Sequence, residues 1–371
     1  MAASYCASTP TKSSTRSSIN CSLLPKASDV RYLVFGTGAV GGLMGARLAL
    51  AGNQVTFLAR PHITKVLQKD GLRLVEASQS RQVQDVKSST EIKQALELGK
   101  PDIILLCVKA YDCSEAADII KHALEQPVTV LSLLNGINNE QTLARILGPE
   151  YVIHGSLTTA VQMTRPGVVE VARRRGLGIA GHHPLAADLV GDLAAAGFRV
   201  EHYRNPDRMK WSKLLTNIVS NATSAITGLD PGRVFAHPGL AGLELDAQRE
   251  TVRVMHQLGF SPQNLPGVSV AILGRAVFLP KFLTRRILGS IVASGRGQKK
   301  PSLHYDIGRG KSEVDWLNGA VARYGAQLGV ATPVNEALTR TMKALVDDAS
   351  LHSAFLGKPE ALLARVYPDR A

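Results

Sequence analysis

A chain of 371 residues, 45% of them hydrophobic, is long enough to bury one large core or, more readily, two domains. Its 43 basic and 30 acidic residues leave a formal charge of +13, which raises nucleic acid or a membrane surface as partners, yet the charges are scattered and aromatics are only 5%. No stacking motif or base-reading basic helix is present, and no apolar run reaches the roughly eighteen residues of a membrane span, so neither nucleic acid nor membrane is an expected partner.

The first 28 residues stand apart, with eight Ser, three Thr, two Lys, one Arg and no acidic residue. A Ser-rich, basic, acid-free N-terminus has the composition of an organellar transit peptide, and its low Arg content favours a plastid over a mitochondrion. Without it the remaining body carries +10, a balance that suits an enzyme whose cofactor and substrate are both anionic. Cys6 and Cys21 lie inside this leader, while Cys107 and Cys113 read as buried or half-buried residues of a reducing compartment. CxxC and HExxH spacings are missing, and the adjacent His182 and His183 cannot share one helix face, so no metal site is expected.

The body opens with RYLVFGTGAVGGLMGARLALAGNQVTFLAR. An apolar run (Tyr32 to Phe35), a Gly-rich turn, a helical pattern ending at Gly52 and a second apolar run (Val55 to Leu58) follow in order. That strand, turn, helix, strand context makes GTGAVG a dinucleotide-binding fingerprint. Gly36 permits the tight turn, Gly38 lets backbone approach a pyrophosphate and Gly41 allows close packing of helix on strand. Thr37, Ala39 and Val40, between them, are counted with the cofactor-binding set, since the helix N-terminus holds the phosphates. Where an NAD-binding unit normally carries Asp or Glu for the ribose hydroxyls, this chain has Arg60. A guanidinium there fits a 2′-phosphate, so NADP(H) is expected.

DIILLCV (102–108) and VTVLSLL (128–134) read as buried parallel strands. They place Lys109 and Asn135 at carboxyl ends facing one crevice, Lys109 for phosphate or substrate and Asn135 for the nicotinamide ribose or the substrate. From 151 to 200 the signals are short and β-like and read as antiparallel additions or a mixed edge to the sheet, with a helix over 184–196. After Arg204 the pattern turns helical, which divides the body into a dinucleotide-binding domain (29–204) and a helical domain (205–371).

NPDRMKWSKLLTNIVSNATSAITG (205–228) reads as one long helix, with Asn205 as cap, Pro206 in the first turn and Gly228 as stop. Trp211, Leu214, Leu215, Ile218, Val219, Ala222 and Ile226 form its apolar stripe. Lys213, Asn217 and Asn221 align at i, i+4 and i+8: either a solvated edge, or a floor for a small anionic carbonyl compound. Basic residues Lys281, Arg285, Arg286, Arg296, Lys299 and Lys300 read as a solvated loop, and Ser302 and Glu313, the latter at the head of a helix, are candidates to complete a pocket.

GTGAVG, CVKAYD, LLNGI, WSKLLTNIVSNATSA and PSLHYDIGRGKSEVDWLNGAV together resemble the successive motifs of the ketopantoate reductase (2-dehydropantoate 2-reductase) family, over roughly residues 30 to 350. The resemblance implies an α/β fold, a Rossmann-type dinucleotide-binding domain followed by an all-helical domain, in which NADPH reduces a 2-oxo acid to a 2-hydroxy acid. It assigns catalysis to Lys213 and Glu313, and substrate contacts to Asn135, Asn217, Asn221 and Ser302. Gly36, Gly38, Gly41, Arg60 and Lys109 match cofactor positions, and Lys210 is left to solvent. The Ser302 to Glu313 spacing is one residue shorter than the family pattern, and His304 and Tyr305 replace a commoner Leu-Gln. Hydride arriving at the carbonyl carbon builds negative charge on oxygen, which a protonated Lys213 can stabilise and neutralise. A reductase of another 2-oxo acid and a non-catalytic NADP(H)-binding sensor are the alternatives, and the oligomeric state, homodimer included, is left open.

Overall fold

The computed structural model describes residues 30–181, 183–280 and 301–370. The leader, His182 and the basic run Lys281 to Lys300 lie outside the described residues.

The first domain opens with β1 (Arg31–Phe35), α1 (Ala39–Leu50) and β2 (Gln54–Leu58), the strand, helix, strand unit expected from the glycine fingerprint. It continues with α2 (Pro61–Asp70), β3 (Leu72–Glu76), β4 (Gln79–Val83), β5 (Lys87–Ser89), α3 (Ile92–Glu97), β6 (Ile103–Leu106), α4 (Cys113–Ala123), β7 (Thr129–Ser132) and α5 (Asn139–Leu147). Then come β8 (Val152–Leu157), β9 (Ala160–Arg165), β10 (Val168–Arg173), β11 (Leu177–Ala180), α6 (Ala186–Ala195) and β12 (Val200–Tyr203).

Eight of these strands form one sheet in the order β12-β11-β8-β7-β6-β1-β2-β5, parallel except where β11 meets β8. The chain departs from β1 to β2 on one side and resumes at β6 on the other, so the order reverses between β1 and β6. In open α/β sheets such a reversal leaves a crevice at the carboxyl ends of the strands. Tyr32, Val34, Leu43, Phe57, Ile103 and Leu105 are among the buried residues on one face, and Leu33, Ile104, Leu106, Ile120 and Val130 among those on the other.

The mixed edge expected over 151–200 holds for part of the stretch, with β8 parallel to β7 and β11 antiparallel to β8. Only β8, β11 and β12 join the large sheet, while β9 and β10 pair with β3 and β4 in a second, four-stranded sheet of order β4-β3-β10-β9. Pairing of β10 with β3 brings together segments about a hundred residues apart, which no local pattern encodes.

Beyond Tyr203 the named elements are helical: α7 (Pro206–Ile218), α8 (Asn221–Thr227), α9 (Pro231–Ala236), α10 (Pro238–Gln257), α11 (Val270–Ala276), and the helices Asn318–Leu328, Pro333–Asp347 and Pro359–Val366, with short 3-10 turns such as Ser302–Asp306 and Glu313–Trp316. None of the described helices is long and apolar enough to cross a membrane. The expected single helix over 205–228 is two. Asn205 does cap the first, accepting from Arg208 N–H at 2.8 Å. The helix then stops at Val219, and Ser220 adopts a left-handed φ of +55°. Glu244 of α10 accepts from Ser220 N–H at 2.7 Å and from Thr223 Oγ1 at 2.5 Å, so a buried carboxylate from another helix satisfies the break.

Met209, Trp211, Leu214, Leu215 and Ile218 are all buried, each stabilising the packing by about 1.5–3 kcal/mol relative to exposure. Met209 and Leu215 pack in a cluster that also holds Ala180 of β11 and Leu245 and Val252 of α10. α7 is thus wedged between the large sheet and the helical core.

Candidate active site

The glycine turn after β1 is shaped by what surrounds it. Gly36 has φ +98°, and a Cβ there would lie 2.9 Å from the backbone of Cys107 and Val108, the segment leaving β6. A Cβ on Gly41 would lie 2.2 Å from Gly36 O, whereas one on Gly38 would meet nothing within 4 Å. Any side chain larger than glycine at Gly41 would push α1 off the turn, while open space stands over Gly38. α1 has no side-chain cap and no acidic residue in its first turn, so its N-terminal N–H groups present partial positive charge to that space, the arrangement a pyrophosphate needs. Thr37 Oγ1 donates to Leu58 O at 3.3 Å and Gly36 N–H to the same oxygen at 3.1 Å, which ties the turn to the end of β2. Two residues on, Arg60 stands exposed at the start of α2 with no side-chain capping bond, and among the described residues it makes no ion pair. A guanidinium beside the ribose end of such a turn fits a 2′-phosphate. These residues therefore fit NADP(H).

Lys213, Asn217 and Asn135 form a continuous polar chain. Lys213 Nζ donates to Asn217 Oδ1 at 2.9 Å, and Asn217 Nδ2 donates to Asn135 Oδ1 at 3.1 Å. The first bond is the expected i, i+4 contact on α7; the second crosses between domains to the loop after β7. All three side chains are half-buried. Asn221 does not extend the row, because the break at Ser220 turns it elsewhere. It is buried, its Nδ2 donates to Ser302 Oγ at 3.1 Å and its Oδ1 accepts from Leu303 N–H at 3.3 Å. Asn221 and Ser302 therefore come together as a second pair.

Glu313 is the most altered assignment. It heads a 3-10 turn, with the helix beginning only at Asn318. Its carboxylate is buried against Lys109, Oε2 lying 2.5 Å from Nζ, and its Oε1 accepts from Ala110 N–H at 3.4 Å. A residue assigned to catalysis thus meets one assigned to the cofactor. Burial works against the charge on Lys109, but the Glu313 carboxylate, by charge and hydrogen bond, with Asp306 behind it, holds that ammonium above the usual lysine range. Asp306 also orders the turn: its Oδ2 accepts from Ser312 Oγ at 3.0 Å and from Glu313 N–H at 3.2 Å. The same turn touches the loop after β7, where Ile137 N–H donates to Trp316 O at 3.0 Å.

Lys210 is not a solvent-facing residue. It is 5% exposed, and its Nζ reaches Leu134 O at 2.7 Å, Gly155 O at 3.3 Å and Glu140 Oε1 at 2.8 Å. Glu140, on α5, also accepts from Ser132 Oγ at 2.7 Å. Burial opposes the charge on Glu140, yet Lys210, His154 and Ser132 outweigh it and hold the carboxyl below its ordinary range. Sequence reasoning missed this pair, and missed Asp306 and Tyr324, whose OH donates to Asn138 Oδ1 at 2.7 Å across the domain boundary. Lys210 and Glu140 are separated by 70 residues, so no local spacing announces them; Asn138 and Tyr324 are farther apart still.

Three polar sets therefore stand along the boundary between the large sheet and the helices: Lys213–Asn217–Asn135, Asn221–Ser302 and Lys109–Glu313. Such groups bind and orient a small anion that bears a carbonyl and a hydroxyl, with Lys213 able to protonate a developing oxyanion.

Comparison with known proteins bears on the same elements. The family model described as Ketopantoate reductase PanE/ApbA matches residues 32–183, and Ketopantoate reductase PanE/ApbA C terminal matches residues 205–346. A 2-dehydropantoate 2-reductase of Halobacterium salinarum is 30% identical over 317 residues, 82% of this chain and 95% of its own length. One of Pyrococcus horikoshii is 27% identical over 321 residues, 85% of this chain and 97% of its own. The crystal structure of a PanE/ApbA family ketopantoate reductase from Ralstonia eutropha JMP134 superposes with a TM-score of 0.73 at 32% identity, covering 86% of this chain and 99% of that one.

Proposed function

The chain belongs to the ketopantoate reductase family, and on that premise we propose that it reduces ketopantoate (2-dehydropantoate) to pantoate in pantothenate biosynthesis, with NADPH as its cofactor. The observation that carries this for the chain's own residues is the Lys213–Asn217–Asn135 chain, which joins a proton donor on α7 to the carboxyl end of β7. NADPH, when bound, supplies the hydride.

The glycine turn and the N-terminus of α1 would hold the pyrophosphate, and Arg60 would meet the 2′-phosphate. Lys213 faces the ketone oxygen. As carbon 2 accepts hydride, the ammonium stabilises the negative charge forming on that oxygen and gives it a proton, leaving a secondary alcohol and a neutral amine that solvent reprotonates. Asn217 holds the Lys213 ammonium by its Oδ1 and Asn135 by its Nδ2, so the donor's direction is set before substrate arrives. Asn221 and Ser302 orient the carboxylate end. Glu313, with acceptor capacity beyond Lys109 and Ala110, receives the substrate hydroxyl.

The direct test follows NADPH oxidation by its near-ultraviolet absorbance with a panel of 2-oxo acids. Ketopantoate is expected to be turned over with the highest kcat/KM; no turnover of ketopantoate would refute the assignment.

Residues 1–28 are further proposed to direct the chain to a plastid, on the strength of their Ser-rich, acid-free composition. Fused ahead of a fluorescent protein, they should carry it into plastids; a purely cytosolic signal would refute this.

A further inference from the structure

Lys210 and Lys213 sit three residues apart on α7, on adjoining faces. Lys213 looks into the site, whereas Lys210 enters the first domain and uses all three of its N–H donors there. The three acceptors belong to three different elements: Leu134 O at 2.7 Å at the end of the β7 run, Gly155 O at 3.3 Å in β8, and Glu140 Oε1 at 2.8 Å in the first turn of α5. Leu134 is the residue before Asn135, so its carbonyl belongs to the peptide plane that ends at Asn135 N. The loop is held from its other side as well, since Asn139 Nδ2 donates to Asn135 O at 2.8 Å. Glu140 in turn grips Ser132 Oγ at 2.7 Å.

We propose that Lys210 is a positioning residue: its buried ammonium clamps α7 to the Leu134–Asn135 peptide and to α5, and thereby sets the reach of Lys213 and Asn217 toward Asn135 across the two domains. The inference rests on the reductase assignment. Its physical basis is that a buried cation and a buried carboxylate can persist only in contact, so the pair admits one relative placement of α7 and α5. A hydrophobic pair of similar size could fill the space yet slide. Proton donation to a ketone is sensitive to such sliding, because misplacement by about 1 Å can cost on the order of a hundredfold in rate.

The test uses Lys210→Met together with Lys210→Met/Glu140→Gln, measured beside the wild-type chain. The single variant leaves Glu140 buried without its partner and is expected to lower the thermal midpoint; the double variant removes both charges and is expected to recover it. In the double variant kcat for ketopantoate should fall roughly ten- to a hundredfold, while the Kd for NADPH, read by cofactor fluorescence, stays within about twofold. Wild-type kcat in a folded double variant would overturn the proposal. So would losses of kcat, NADPH affinity and thermal midpoint in step, since that is general damage rather than positioning. If the double variant does not fold, Lys210→Arg carries the test: it keeps the charge but shifts the donor positions, and unchanged kcat would again overturn the clamp. Failure of the wild-type chain to turn over ketopantoate would refute the reductase assignment instead, and is read separately.

Discussion

Lys109 Nζ lies 2.5 Å from Glu313 Oε2, an ion pair that joins the loop after β6 to the 3-10 turn Glu313–Trp316 of the helical domain. One partner leaves the carboxyl end of β6 and the other heads a turn of the helical domain, so the pair ties the two domains together at the crevice. Lys109 is partly exposed while Glu313 is almost fully buried, at 39% and 4% of their side chains. Removal of Lys109 would therefore leave a buried carboxylate unmatched, whereas removal of Glu313 would leave a cation able to find solvent.

Glu313→Gln keeps the shape and removes the charge. Its kcat/KM for ketopantoate should fall on the order of a hundredfold, measured by steady-state kinetics. The folded-state value of Lys109 is raised, so its contribution to stability is present below the ordinary lysine range and lost as pH rises through the raised value. Alkaline unfolding of the wild type should therefore show a limb that Glu313→Gln lacks. Superimposable alkaline curves would show that the pair does not contribute.

Lys213→Ala should lose about 3 kcal/mol or more of transition-state stabilisation, the scale of removing one charge-stabilising donor. The loss should appear in kcat, with NADPH binding little changed. A near-normal kcat would assign proton donation to another group.

Arg60 stands exposed at the start of α2, beside the glycine turn. Arg60→Ala should raise KM for NADPH and leave that for NADH nearly alone, so the ratio of kcat/KM values moves toward NADH by one or two orders of magnitude, roughly 1.5–3 kcal/mol for a charge-assisted hydrogen bond. An unchanged ratio would remove Arg60 from the 2′-phosphate.

Glu250, in the helical core, is 4% exposed, and burial pushes its carboxyl from 4.5 up to about 7. Hydrogen bonds from Asn335 and Val334 N–H pull the other way and do not overcome it. With the folded value raised, the stabilising protonated form is fully favoured below about 4.5 and is lost as pH rises through about 7. Glu250→Gln should remove that slope, a difference of about 3 kcal/mol between pH 4.5 and 7.5. His154, whose value burial lowers, contributes in the opposite sense over part of this window, so the comparison must be wild type against variant at each pH. Parallel denaturant midpoints across the range would refute the assignment.

The α/β class and the dinucleotide turn were legible in the residues because their causes are local. Alternation of apolar runs with a Gly-rich turn encodes β1, α1 and β2 directly, since glycine spacing and helical periodicity act within a few residues. Lys109, Asn135, Lys213 and Asn217 were likewise readable as candidates from strand ends and from i, i+4 spacing. What only the tertiary structure decided is which of these groups touch. Ser220 breaks the helix that periodicity runs straight through, because Glu244 of a distant helix satisfies its N–H and leaves Asn221 to pair with Ser302. Glu313 meets Lys109, and Lys210 meets Glu140, because burying charge forces opposite partners together from segments far apart in sequence. β9 and β10 leave the main sheet for the same reason of distance: backbone pairing with β3 is set by where the chain returns, which no window of neighbouring residues contains.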